Sequence, residues 1–168
     1  MKNLETKRLI LVEFSLDDAP FIMEMLNDPA WIEFIGDRRI RTLDDARDYI
    51  VNKLQQTMQE SGYGMLLVKL KDGSPIGTCG LLKREYLDDY DIGFAFLPNF
   101  RRKGYAYEAA SAMIDYGKES LGLKRIAAFV LKGNLKSVLL LKKLGMKYER
   151  MLKIPNDDAE IELYGKVL

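Results

Sequence analysis

The sequence contains no histidine, one cysteine, one tryptophan and five prolines in 168 residues. Without histidine, and with Cys79 alone, the usual zinc ligand sets and the Ser/His and Cys/His nucleophile pairs are excluded, and no metal is expected. A lone cysteine also excludes an intramolecular disulfide and points to a reducing compartment. Cys79 itself, in an apolar stretch, reads as a small buried side chain. No uninterrupted apolar run approaches the roughly 20 residues of a membrane span, and the opening MKNLETKRLIL lacks a signal-peptide core. A cytoplasmic, non-membrane protein is expected. An excess of one charge is missing too: 26 Lys+Arg against 25 Asp+Glu leave +1, which argues against a nucleic-acid face.

What is present suits a globular enzyme-sized domain. Hydrophobic residues make up 48% and charged residues 30%, an ordinary balance for a chain long enough to bury a core. No repeat, low-complexity tract or linker divides it, so one domain over residues 1–168 is expected. KRLILVEF (7–14) reads as a strand, followed by a short helix through Phe21, Ile22, Met25 and Leu26 that Asp28-Pro29 stops. Thr42 reads as the cap of a second helix ending at Ser61-Gly62. YGMLLVKL and SPIGTCGLLKR read as strands joined at Lys71-Asp72-Gly73, and YDIGFAFLP as another. Ala106, Ala109, Ala110, Met113 and Gly117 recur at helical spacing. LKRIAAFVL reads as a strand buried on both faces. Asn134 caps a helix that Gly145 closes, and MKYERMLK with EIELYGKVL reads as a closing antiparallel pair. The order β-α-α-β-β-β-α-β-α-β-β predicts an α/β (α+β) fold with a mixed sheet rather than a doubly wound one.

One stretch stands out, FLPNFRRKGYAYEAASAMIDYG. Arg101, Arg102 and Lys103 crowd the start of a helix, where the backbone already carries partial positive charge. The first N–H groups of a helix have no internal partner, and Gly104 lets another molecule approach them closely. Together they form an anion site that fits a phosphate, the flanking cations adding charge-assisted contacts. Read alone, the pattern also fits a solvated basic loop.

Arg101, Gly104 and Ala106 spell R-x-x-G-x-A after a strand and a proline. Farther on, GNLKSVLLLKKLGMKYE carries Asn134, Ser137, Leu140, Leu144, Gly145, Met146 and Glu149. This combination resembles the GNAT acetyltransferase superfamily. TKRLIL, IGTCGL, DIGFAFLP, GYAYEAA and LGLKRI resemble its branch of ribosomal-protein N-terminal acetyltransferases. The resemblance implies a mostly antiparallel central sheet, helices on both faces, and acetyl-CoA in a gap between two splayed parallel strands, Tyr90 to Leu97 and Arg125 to Leu131. It places the pantetheine arm on the backbone near Phe96 and Leu97. The pyrophosphate falls at Arg101, Arg102, Lys103, Gly104, Tyr105 and Ala106, with Asn134 on the CoA arm and Ser137 near the thioester. Many members carry a tyrosine acid at the position that is Leu141 here. Ser137 through a water then becomes the first proton donor to consider, followed by Tyr107 or Tyr90.

The resemblance further implies direct attack of an acceptor amine on acetyl-CoA, with backbone N–H groups near Phe96 and Leu97 stabilising the oxyanion. The acceptor amine must first be neutral. At pH 7 deprotonation costs about 1 kcal/mol for an α-amine and about 4.5 kcal/mol for a lysine. An α-amine therefore needs only a modest base, which suits a chain without histidine. Asp91, in DIGF where the branch usually has glutamate, is the first base candidate and Glu85 the second. Glu108 matches a branch glutamate and is read as structural or as opposing the nearby cations. Acceptor choice is expected from the loops 27–42, 84–89 and 155–160. Trp31 and Phe34 are read as pocket-lining or core, and Asp88, Asp89, Asp157 and Asp158 as either attracting a cationic acceptor or simply solvated. The expected acceptor is a peptide N-terminus or a small-molecule amine, with polyamines, aminoglycosides and a silent CoA-binding sensor as alternatives. A monomer or homodimer is expected.

Overall fold

The computed structural model describes residues 3–154 and 157–168. Its elements are β1 (Leu4–Glu5), β2 (Leu9–Val12), α1 (Ala19–Leu26), α2 (Pro29–Phe34) and α3 (Leu43–Tyr49), which runs through a π-helical turn (Ile50–Gln55) into α4 (Gln56–Ser61). Then come β3 (Met65–Leu70), β4 (Pro75–Lys83), β5 (Tyr90–Phe96), α5 (Tyr105–Glu119), β6 (Arg125–Leu131), α6 (Leu135–Lys143), β7 (Lys147–Leu152) and β8 (Ile161–Val167). The strands form one sheet in the order β1-β2-β3-β4-β5-β6-β8-β7. Every pairing is antiparallel except β5 with β6.

Local chemistry sets the boundaries. Thr42 Oγ1 accepts from Asp45 N–H while Asp45 accepts from Thr42 N–H, a reciprocal cap that starts α3. Asp28-Pro29 ends α1 and also begins α2. Asp28 accepts from Trp31 N–H, and Pro29 occupies the first helical position, where no N–H is needed. A helix therefore stands inside the stretch 27–42 expected to be loop. The first strand is shorter than KRLILVEF suggests, and β1 adds a small outer pair that the sequence pattern does not announce.

The sheet carries helices on both faces, as expected. α5 and α6 cover one face, packing Ala109, Ala110, Met113 and Leu141 against Ile92, Phe96, Ile126, Ala128 and Val130. The other face takes α1 and α3, with Ile22, Leu26, Ala46 and Ile50 clustered on Leu67 and Leu97. Ala127 of β6 joins a third cluster with Leu87, Leu152, Ile161 and Leu163. β6 is thus buried on both sides, the reason its sequence is a continuous apolar run. Cys79 is fully buried, and burial pushes its thiol up, so it stays protonated.

One irregularity divides the sheet. β4–β5 and β6–β8 are each aligned over seven residue pairs, whereas β5 and β6 share one, Asp91 with Ala127. Beyond that pair the two parallel strands separate. They leave a gap that is closed near Asp91 and open where both strands end.

Candidate active site

The closed end of the gap is pinned by charge. Arg125, at the start of β6, donates from Nε to Asp89 at 2.8 Å, just ahead of β5, and pairs with Glu149 of β7. Glu149 and Asp89 therefore serve the fold here. Next to this pin sits Asp91, 2% exposed, accepting from Arg84 Nε at 3.0 Å. Burial raises its carboxyl above the usual carboxylate range, the Arg84 charge and hydrogen bond opposing but not cancelling it. Arg84 is held over the Phe129 ring, 5.0 Å from its centroid. Glu85, the second base candidate, is exposed on the turn after β4. Tyr90 packs with the α5 side of the sheet, opposite to the face Asp91 occupies, its ring edge-on to Tyr63.

The walls of the gap follow from strand register. Leu97 N–H donates to Ile76 O at 3.0 Å. In an antiparallel ladder bonded residues alternate, so Asp91, Gly93 and Ala95 spend their backbone groups on β4 as well. Ile92, Phe94 and Phe96 turn theirs toward β6. Leu97, expected beside Phe96 as a backbone contact for pantetheine, is thus occupied by β4, and its side chain is buried in the second cluster. Phe94, which the sequence analysis did not single out, turns its backbone to the gap instead. The alternation of strand hydrogen bonds could have found it once Ile76 was aligned with Leu97.

At the open end, a turn of 3-10 helix (Pro98–Phe100) leads into α5. Arg102 (φ 62°) and Gly104 (φ 83°) are both left-handed, curling the chain immediately before the helix. A side chain at 104 is strained in that conformation, and its Cβ would lie 3.2 Å from the Arg8 guanidinium. Gly104 supplies no side-chain cap. The first intrahelical bond is from Glu108 N–H to Gly104 O at 3.0 Å. The N–H groups of Gly104, Tyr105, Ala106 and Tyr107 precede it and have no helical acceptor. Arg102 and Lys103 are exposed around this turn.

Arg101 behaves differently. Its Nε donates to Phe96 O at 2.7 Å and its guanidinium reaches Asp28 at 2.5 Å. It is a brace between β5, the turn and the start of α2, and it occupies a carbonyl that would otherwise face the gap. A second brace comes from the N-terminal segment. Thr6 Oγ1, Arg8 N–H and Arg8 Nε all donate to the Glu108 carboxylate, at 2.6, 2.8 and 2.6 Å. Arg8 also donates to Lys103 O at 3.0 Å and lies over the Tyr105 ring. Partial burial would raise Glu108, but these hydrogen bonds and the Arg8 charge outweigh it and hold the carboxyl below its ordinary value. The segment TKR and the glutamate of GYAYE are thus two halves of one clamp on the turn before α5.

Because β5 and β6 are parallel, α5 and α6 both begin at the open end. Asn134 Oδ1 accepts from Ser137 N–H at 3.2 Å, so its oxygen caps α6, and among the described residues its amide NH2 makes no hydrogen bond. Ser137 is partly buried, three residues into α6 and about 5 Å along it at 1.5 Å per residue. Leu141 lies about 10 Å along and is fully buried. The structure therefore sets Ser137 with Asn134 near the open end and Asp91 at the closed end; it does not bring the two proposed catalytic side chains together. Tyr107, in the first turn of α5, is exposed beneath Lys143 Nζ.

The expected acceptor loops are partly committed to the fold. Asp37 pairs with Arg41 at 2.6 Å, and Asp157 accepts from Ala159 N–H within its own turn. Asp88 and Asp158 are exposed. Pro155 and Asn156 of the third loop lie outside the described residues. Among the described residues no helix is long and apolar enough to cross a membrane.

An acetyltransferase (GNAT) domain model matches residues 8–147. The uncharacterized N-acetyltransferase YnaD of Bacillus subtilis is 32% identical over 151 residues, covering 90% of this chain and 86% of that protein. A GNAT-family acetyltransferase from Bacillus anthracis is similar in structure, with a TM-score of 0.82, 26% identity, and 98% of each chain covered. The ribosomal L7/L12 α-N-protein acetyltransferase RimL, solved with coenzyme A, shares the fold, with a TM-score of 0.83, 13% identity, and 99% and 98% of the two chains covered. A gap between parallel strands, with an uncapped helix N-terminus at its mouth, is what such a match leads one to look for, and the chain belongs to the GNAT family as an acetyl-CoA-dependent acetyltransferase.

Proposed function

We propose that this protein acetylates a primary amine, in the first instance the α-amine of a peptide or a small amine of similar basicity, with acetyl-CoA bound along β5. The observation that carries the reading is the single pairing of β5 with β6 at Asp91. It leaves the backbone of Phe94 and the N–H of Phe96, whose carbonyl Arg101 takes, facing a gap that runs from the phosphate turn to a buried carboxylate. The pyrophosphate belongs on the N–H groups of Gly104, Tyr105, Ala106 and Tyr107, with Arg102 and Lys103 around it. The amides of pantetheine pair with Phe94 and Phe96 as a strand edge would. The acyl end then lies toward Asp91.

There the amine nitrogen attacks the thioester carbonyl carbon, the C–S bond breaks, and the amine proton passes to Asp91 directly or through a water. A buried carboxylate with a raised pKa is a stronger base than an exposed one, and an α-amine asks little of it. The Phe94 N–H faces the developing oxyanion. The leaving thiolate needs no acid in the position of Leu141. A thiol of pKa about 8.5 departs as thiolate at a cost of about 2 kcal/mol at pH 7, and solvent supplies its proton. Ser137 reaches the CoA arm rather than the sulfur.

Leu141 favours a second reading, a CoA-binding sensor without turnover. The discriminating experiment incubates the protein with acetyl-CoA and a panel of peptides, polyamines and aminoglycosides, following thiol release and product mass. Transfer to an amine is expected. Tight CoA binding with no transfer to any amine would establish the sensor instead.

A further inference from the structure

Arg84 spans the point where the two parallel strands part. Its Nε donates to Asp91 of β5 at 3.0 Å, and its guanidinium carbon lies 5.0 Å from the centre of the Phe129 ring on β6. Phe129 is two residues beyond Ala127, where β6 is paired with β5, so the guanidinium covers the start of the gap. The Asp91 side chain is 3% exposed and that of Arg84 33%. An acceptor that approaches the carboxylate from solvent on this face meets the arginine first.

Part of this guanidinium is unused. Among the described residues its terminal nitrogens, Nη1 and Nη2, find no acceptor, and Asp89 is already held by Arg125. Positive charge extends beyond Arg84 itself. Burial pushes the phenol of Tyr49 up, and the charges that oppose this are those of Arg38, from the stretch after α2, and Arg84, from the end of β4. Two arginines thus act on one region, and among the described residues Asp91 is the only buried acid.

The chemistry of the acceptor follows from the Asp91–Arg84 pair. The amine arrives as an ammonium and gives its proton to Asp91. Once Asp91 is neutral, the guanidinium, two-thirds buried, loses its counter-charge, which is costly unless another anion replaces it. A carboxylate on the carbon that bears the amine supplies that anion, and Nη1 and Nη2 present the fork that a carboxylate takes bidentately. A neighbouring carboxylate also makes an amine harder to deprotonate, and a guanidinium bound to it opposes that effect. A polyamine or aminoglycoside brings further positive charge to the same place, and a peptide N-terminus offers only a neutral carbonyl. On the acetyl-transfer reading given above, we propose that Arg84 determines specificity and that the acceptor is a free α-amino acid, its carboxylate on Arg84 and its amine at Asp91. The bonds change as before: N–C forms, C–S breaks and the proton goes to Asp91.

The test measures kcat/KM with acetyl-CoA for a panel of free L-amino acids, each beside its primary amide and a dipeptide with the same first residue. In parallel, calorimetric titration of the CoA-bound protein with the same compounds reads binding without turnover. The preferred amino acid is expected to exceed its amide by about 10–100-fold, the worth of hydrogen bonds between charged groups. In Arg84→Gln, checked for an unchanged melting temperature, that ratio falls to near one. In Arg84→Lys, which keeps the charge and loses the fork, it lies between, and this variant carries the comparison if the glutamine variant melts early. A purely structural role for Arg84 would lower amino acid and amide alike and leave the ratio in place, which would overturn the assignment. So would an amide or dipeptide used as well as the amino acid, or transfer to peptides while free amino acids are neither bound nor acetylated. Binding of amino acids that depends on Arg84, with no transfer to any amine, would instead remove the acetyl-transfer reading and leave the carboxylate subsite standing.

Discussion

At the open end of the gap the polar groups are backbone N–H groups that the helix leaves unmatched; at the closed end they are side chains whose partners come from within the fold. The turn before α5 has two left-handed residues, no side-chain cap and exposed cations. Asp91, by contrast, is buried against Arg84 and stands beside the Arg125–Asp89 pin. On the proposed reading, the difference separates binding from chemistry. An open cluster of N–H groups waits for an anion, whereas a sealed carboxylate with a raised pKa waits for a proton. Substitutions at the two ends should therefore fail in different measurements.

The largest effect is expected at Gly104. Gly104→Glu forces a left-handed side chain into the turn, crowds Arg8 and places a carboxylate where phosphate belongs. Loss of two charge-assisted hydrogen bonds, each about 1.5–3 kcal/mol, weakens CoA binding by roughly 1000-fold. Calorimetric titration with CoA measures it, and an unchanged dissociation constant would remove the phosphate turn from the site. At the other end, Asp91→Asn is expected to lower turnover about 100-fold while CoA affinity stays within a few fold. Because a base must be deprotonated, the wild-type rate falls as pH drops through the raised Asp91 pKa. That acid limb, above the ordinary aspartate value of 3.8, should be absent in the asparagine variant. If both variants lose CoA binding equally, the two ends are not distinct.

Between these extremes stands the Thr6–Arg8–Glu108 clamp, which holds the turn without facing the gap. Glu108→Gln keeps the shape and loses the charge, and a CoA affinity lower by about tenfold is expected, on the order of one charge-assisted hydrogen bond. The pH dependence has a definite sign. The folded-state pKa of Glu108 is depressed, so its contribution to stability is present above its ordinary value of 4.5 and lost as pH falls through the lower folded value. Melting temperatures of wild type and Glu108→Gln should converge in that acid window and differ above it. Parallel curves at all pH values would assign the clamp to shape alone.

How much of this the sequence revealed depended on the range of the interaction. The strands of YGMLLVKL, SPIGTCGLLKR and YDIGFAFLP and the helix after Gly104 were legible because periodicity and turn residues act locally. Asp28-Pro29 was half legible. A proline that ends one helix can also begin the next, and only the chain beyond it decides. The brace that Arg101 forms was not legible because its partner, Asp28, is 73 positions away. That Phe94 rather than Leu97 turns its backbone to the gap was hidden for a related reason. Which backbone groups face the gap depends on the register against Ile76, and a single strand's sequence carries no information about its neighbour's register. The left-handed turn before α5 needed no such partner, and so its glycine and the helix start behind it were visible from a short stretch.

The smallest effect tests whether α6 contributes to binding or only to the fold. Asn134 differs from Gly104 in capping its own helix, through Oδ1 to Ser137 N–H, so Asn134→Ala should cost about 1 kcal/mol of stability and lower the melting temperature by roughly 2–4 °C for a chain of this size. Serine caps a helix nearly as well as asparagine but has no amide NH2. Asn134→Ser should therefore melt close to wild type, and any fall in CoA affinity it shows belongs to the lost NH2 rather than to the helix. A few-fold weakening in Asn134→Ser would place Asn134 on the CoA arm beside the gap. Wild-type affinity in that variant would make the α6 terminus a closed cap, and the contrast between an open and a sealed helix start would then lie wholly in the turn before α5.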